Sequence, residues 1–119
     1  MILKSLKLKN IRSYKKEEIT FPEGSTLLMG DIGSGKTSIL LAIEFALFGL
    51  QPSQRGSSLL RNNEDEASVE LEFEIDEKNI IIQRKLKKGS KTISQTEASI
   101  TINNEKMQYK IQYIWYYNK

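Results

Sequence analysis

Along this chain the apolar positions first alternate with polar ones, then run together, then recur at helical spacing. Ile2, Leu6 and Leu8 share one parity while Ser5, Lys7 and Lys9 share the other, which predicts a strand with one face covered. The polar stretch NIRSYKKEE interrupts it as a turn. Ile19 and Phe21 suggest a second short strand, closed by the turn from Pro22 to Gly24. STLLMG does not alternate and suits a strand buried on both faces. After a glycine-rich turn, Ile39, Leu40, Ile43, Leu47 and Phe48 return at helical spacing, and Leu41, Phe45 and Ala46 widen the stripe over most of the helix. Gly49 is placed to end it. From Lys36 to Phe48 the helix spans about 18 Å, at about 1.5 Å per residue.

QPSQRGSSLLRNNEDE follows as a polar loop with an apolar pin at Leu59 and Leu60. SVELEFEID alternates cleanly, with Val69, Leu71, Phe73 and Ile75 inward and Glu70, Glu72, Glu74 and Asp76 toward water. EKN reads as a hairpin turn into the strand NIIIQRKL. KKGSKTISQ reads as a basic loop, and ASITINNEK as one more strand, with Ile100 and Ile102 inward and NNE as a turn. The order is β-β-β-α-β-β-β, a mixed α/β lobe.

Composition narrows the chemistry. The 119 residues suit about one small domain. With no cysteine there is no disulfide or thiolate site, and with no histidine there is no histidine base, triad or metal site. A net charge of +3 permits a polyanionic partner without demanding one. MILKSLKLKN is no signal peptide, and the apolar stretches fall short of the ~20 residues of a membrane span. The expectation is an intracellular protein, cytoplasmic or nucleoid-associated, with no membrane partner.

The chemistry concentrates in one loop. Gly30, Asp31, Ile32, Gly33, Ser34, Gly35, Lys36 and Thr37 fit G-x-x-x-x-G-K-[ST], between an apolar strand and an apolar helix. Such a loop wraps a phosphate with its own N–H groups, and Gly33 and Gly35 keep side chains out of the approach. The helix beginning near Ser34 directs its positive end at the same place. Lys36 would reach the β- and γ-phosphates of ATP, the Thr37 hydroxyl would complete a Mg²⁺ shell, and Ser38 would add a further hydroxyl. A hydrolase of this class also needs an apolar strand ending in an acid, and no such strand occurs: LEFEID alternates and NIIIQRK ends in bases. The guanine motif N-K-x-D is missing as well.

Four stretches together resemble the N-terminal ATPase lobe of the SbcC and Rad-fifty family, the SMC-like ABC ATPases of DNA double-strand-break repair. These are LKLKNIRSY, EGSTLLMGDIGSGKTSILLAIEFALFG with its Walker A loop, GSSLLRNNEDEASVELEFEI, and IIIQRKLKKG. The resemblance covers most of Met1 to Gly89 and implies a P-loop NTPase fold of ABC type. It also implies that Arg12 and Ser13 lie in a turn beside the nucleotide, and that Leu60, Arg61 and Asn62 lie near base and sugar. The family often has Asn where this chain has Ile32. It continues into a glutamine loop, coiled coils, a signature motif, a Walker B strand and a switch histidine. Gln95, Gln108 and Gln112 have the wrong flanks for the glutamine loop.

Residues 1–119 therefore read as one incomplete nucleotide-binding domain. Residues 107–119 read as an aromatic tail of uncertain structure, as in a truncation, a frameshifted end or a fragment. The implied partners are a C-terminal ATPase lobe or a full-length chain, an SbcD-type nuclease, and DNA held weakly and without sequence preference. Two other readings compete. One is an ATP-independent nucleic-acid-binding module using Lys4, Lys7, Lys9, Lys15, Lys16, Lys85, Lys87, Lys88 and Lys91. Interleaved glutamates favour a solvated face for these lysines. The other is a small kinase, which would need a lid and further arginines.

Overall fold

A computed structural model describes residues 2–21, 36–50, 56–90, 92–96, 98–103 and 105–109. The strand expected at STLLMG, residues 30–35 of the glycine loop, and the tail beyond Tyr109 lie outside the described residues.

An antiparallel sheet carries one helix. The elements are β1 (Ile2–Ile11), β2 (Tyr14–Thr20), α1 (Lys36–Phe48), a single 3₁₀ turn (Gly56–Ser58), β3 (Glu66–Ile75), β4 (Lys78–Lys88), β5 (Ile93–Gln95), β6 (Ala98–Ile102) and β7 (Glu105–Tyr109). In space the strands run β2-β1-β3-β4-β6-β7, with β5 paired to β4. The alternating pattern sets the register. Leu6 lies opposite Leu71 and Leu8 opposite Val69, and Leu71 in turn lies opposite Ile82. All five are buried, so each strand pairing places its apolar set on one face.

Helix α1 lies against that face, contacting β1, β3 and β4. Ser38, Ala42, Phe45 and Ala46 are its buried residues, and three of these four are small, which lets the backbone approach the sheet. Its remaining apolar residues, Ile39, Leu40, Leu41, Ile43 and Leu47, are half-buried, all but Leu40 against the edge of the core, and Phe48 is 50% exposed. Gly49 takes φ 75°, the left-handed conformation that ends a helix without a Cβ clash, and its N–H donates to Phe45 O at 2.8 Å. None of the described helices is long and apolar enough to cross a membrane.

The helix bounds and the faces of β3 agree with the periodicity. Four local readings change. NIRSYKKEE is not all turn: only Arg12 and Ser13 turn, and β2 runs from Tyr14, paired through Ile11↔Tyr14 and Lys9↔Lys16. The β3–β4 hairpin turns on Asp76 and Glu77, with φ 51° and 65°, rather than on EKN. The basic loop KKGSKTISQ contains β5, whose Ile93 lies opposite Lys88. The NNE turn opens into β7, which pairs with β6 from Ile102↔Glu105 to Ala98↔Tyr109 and so takes in the first residues of the expected tail. In β2, β5 and β7 strand pairing completes an edge that polar side chains had hidden from the hydrophobic pattern.

Candidate functional site

Lys36 and Thr37 open α1, directly after the glycine loop. The first turn of α1 carries no acidic residue, so nothing in it neutralises the positive end of the helix. Ser38, one residue on, is buried at 5% exposure on the helix face that meets the sheet. Gly30, Ile32, Gly33, Ser34 and Gly35 lie outside the described residues.

The other expected site residues form a second cluster, where the β1–β2 turn meets the segment after the 3₁₀ turn. Leu60 is buried and bridges Ile11 in antiparallel fashion. Around that bridge the Arg12 N–H donates to Leu59 O at 2.8 Å, and the Arg61 N–H donates to Asn10 O at 2.9 Å. The Arg61 guanidinium completes the join: Nη1 donates to Ser13 O at 2.8 Å and to Arg12 O at 3.3 Å. Asn10 and Arg12 both take positive φ, 55° and 50°, which is uncommon for a side chain as bulky as arginine. Arg61 and the Leu60 bridge hold the turn in that shape. The structure thus brings Arg12, Ser13, Leu60 and Arg61 together, and leaves Asn62 exposed in the next turn.

Two polar residues sit at the far end of α1: Arg84, which sequence reasoning missed, and Gln95, which it considered only as a glutamine-loop candidate and set aside. Arg84 is completely buried, on the inward parity of β4 shared by Ile80, Ile82 and Leu86. Its Nε donates to Ala46 O at 2.8 Å, while Nη1 and Nη2 have no partner among the described residues. Burial pushes the guanidinium pKa down to about 10. Gln95 on β5 accepts the Leu50 N–H through Oε1 at 3.0 Å. The available signal was a cation on the apolar parity of NIIIQRKL.

The opposite face of the sheet is charged. Lys9 and Lys16 lie directly opposite each other, and Lys85 follows across Ser68. Two depressions of about 350 and 370 Å³ share Lys9, Ser68 and Gln83, and glutamates line both. Lys7 pairs with Glu70 at 3.5 Å and Lys4 with Glu74 at 3.9 Å. Interleaved carboxylates make this a mixed face rather than a continuous basic one.

A sheet carrying one apolar helix behind a glycine loop is the arrangement of P-loop NTPases, and solved structures place it there. The structure titled recombination mediator protein RecF-ATP in the RecFOR pathway superposes with TM-score 0.64 over 93% of this chain and 29% of that one, at 23% identity. The SMC head domain from Thermotoga maritima does so with TM-score 0.51 over 90% and 39%, at 26% identity. Residues 5–118 match the family described as AAA domain (AAA_23), and the chain belongs to that family. Within it the chain is 40% identical over 86 residues to the DNA double-strand break repair Rad50 ATPase of Methanococcus maripaludis, covering 71% of this chain. The likeness to the SbcC and Rad-fifty family read from the motifs is borne out. The chain spans 9% of the length of that relative.

Proposed function

We propose that this chain is the ATP-binding N-terminal lobe of a Rad50-type ATPase of DNA double-strand-break repair. The observation that carries the reading is α1: it opens with Lys36 and Thr37 behind a glycine loop, has no acid in its first turn, and packs on the sheet as one unit. An anion is the ligand such a helix end accommodates, so a nucleotide triphosphate with Mg²⁺ fits the residues present. Lys36 would neutralise the β- and γ-phosphates, the hydroxyl of Thr37 would hold Mg²⁺, and Ser38 lies next in line on the helix. Mg²⁺, when bound, would supply charge neutralisation to the phosphates. The Arg12–Ser13 turn, pinned by Arg61, lies beside the nucleotide, with Leu60 and Asn62 toward base and sugar.

Hydrolysis needs a carboxylate to hold the metal and orient water, and in this reading it comes from a C-terminal lobe or a second, full-length chain. An SbcD-type nuclease is the partner whose access to DNA the assembly controls. DNA contact by this lobe is weak and blind to sequence, because its lysines are interleaved with glutamates. The compartment is the cytoplasm or nucleoid.

A fluorescent ATP analogue with Mg²⁺, competed by ATP, ADP and AMP, tests the reading. ATP and ADP are expected to displace the analogue and AMP to fail, because the loop grips β- and γ-phosphates. Displacement by AMP as strong as by ATP, or no saturable binding of the analogue, contradicts it.

A further inference from the structure

Helix α1 is apolar nearly all round, and this raises a problem of positioning. Burial is non-directional, so it favours a helix lying on the sheet without strongly favouring one rotation about its axis. Turning α1 by one residue, about 100°, would exchange Ala46 for Leu47 at the sheet and keep an apolar contact. The small residues Ser38, Ala42 and Ala46 favour the observed face by letting the backbone approach, and a directional contact fixes the rotation more sharply.

The two polar residues at its far end do so. Were α1 to continue, the Leu50 N–H would donate to Ala46 O. Instead the Ala46 carbonyl accepts from Arg84 Nε at 2.8 Å and the Leu50 N–H donates to Gln95 Oε1 at 3.0 Å. Two side chains of the sheet thus take the two halves of one missing helical bond. They come from adjoining strands in fixed register, because Gln95 lies opposite Leu86, two residues beyond Arg84. Arg84 is a costly way to fill this space: two guanidinium nitrogens are buried with no partner among the described residues, where an apolar side chain of similar volume would pack at less cost. What an apolar residue lacks is the bond to Ala46 O.

We propose that Arg84 and Gln95 form a two-point clamp that fixes the rotation of α1 on the sheet, and are thereby positioning residues for Lys36 and Thr37 at its other end. The proposal rests on the nucleotide reading above and adds to it the residues that orient the phosphate-binding helix from behind.

The test uses Arg84→Met and Gln95→Leu in the full 119-residue chain. Three quantities are read: melting temperature, amide ¹H–¹⁵N spectra, and Mg²⁺-ATP affinity. A residue that merely supports the fold moves stability and affinity down together. The clamp predicts otherwise for Arg84→Met: the melting temperature holds or rises as the unpaired charge is removed. The amide signals of Ser38 and Ile39 nevertheless shift, although they lie about 12 Å along the helix from Ala46. Affinity for Mg²⁺-ATP falls about tenfold. Gln95→Leu shifts the same amides and weakens binding in the same direction, and it carries the test alone if Arg84→Met does not fold. Unmoved Ser38 and Ile39 signals with wild-type affinity in the folded variants overturn the clamp, whatever the melting temperature. If the wild-type chain binds no nucleotide, the proposed function fails, and the amide shifts still decide the clamp by themselves.

Discussion

Arg61 offers the sharpest test of how the β1–β2 turn is held. Replacing it with Met keeps the apolar stem and removes two donations, to Ser13 O at 2.8 Å and Arg12 O at 3.3 Å. The backbone bonds of Arg12 to Leu59 and of Arg61 to Asn10 remain, as does the Leu60 bridge, so the turn loosens without detaching. A hydrogen bond to a charged group contributes about 1.5–3 kcal/mol when sheltered, but these carbonyls are exposed and water replaces the lost donor, leaving a net loss of about 1 kcal/mol. For a domain of this size that lowers the melting temperature by about 4 °C. If the turn lines the nucleotide, re-ordering it on binding costs the same ~1 kcal/mol, and affinity falls about fivefold. Thermal unfolding followed by circular dichroism, with Mg²⁺-ATP titration of both proteins, reads the two numbers. A drop in melting temperature with unchanged affinity would remove the Arg12–Ser13 turn from the site. No change in either would refute the claim that Arg61 holds the turn.

Other substitutions probe the scaffold. Phe45→Ala empties a fully buried position between α1 and the sheet and should cost about 3–5 kcal/mol, measured by urea denaturation. At Gly56 a Cβ would meet Ile93 Cγ2 at 2.6 Å and Ile93 O at 3.0 Å. Gly56→Ala should therefore destabilise by about 1–3 kcal/mol, and adding Ile93→Ala should recover part of the loss; a neutral Gly56→Ala would show that the 3₁₀ turn and β5 are not in contact. Glu77 holds φ 65° in the two-residue hairpin, so Glu77→Gly should stabilise by about 0.5–1 kcal/mol, and a lower melting temperature would contradict that backbone shape.

Much of this fold could be read from the chain because its pattern is strong where its core is. Alternation in SVELEFEID named the buried Val69, Leu71 and Phe73, and the apolar run ending at Gly49 named α1 with its bounds. What escaped were the edges. Of β2 the end at Ile19 was expected, but residues 14–18 carry no aliphatic side chain and join it because β1 offers a free edge, and Ile93–Gln95 is a strand only because β4 extends past β6. Such pairings are decided by backbone hydrogen bonds between residues distant in sequence, which side-chain periodicity does not register. The same limit hid Arg84. Its parity marked it as inward, but nothing local says that a helix carbonyl 38 positions earlier would receive its Nε. The turn residues Arg12, Ser13, Leu60 and Arg61 came from family likeness rather than pattern, and the structure joins them through the Ile11–Leu60 bridge, the main-chain bonds around it and the Arg61 guanidinium.

The central claim is that the loop ending in Lys36 and Thr37 holds nucleotide phosphates. Titration calorimetry of Mg²⁺-ATP into the wild-type chain and into Lys36→Ala tests it most directly, since the substitution removes the cation proposed to face two phosphates and alters one residue at the start of a helix that twelve others extend. The account predicts measurable binding to wild type and at least a tenfold loss in Lys36→Ala, about 1.4 kcal/mol or more, with the melting temperature of the unliganded chains alike. Equal affinity in the two proteins would contradict it.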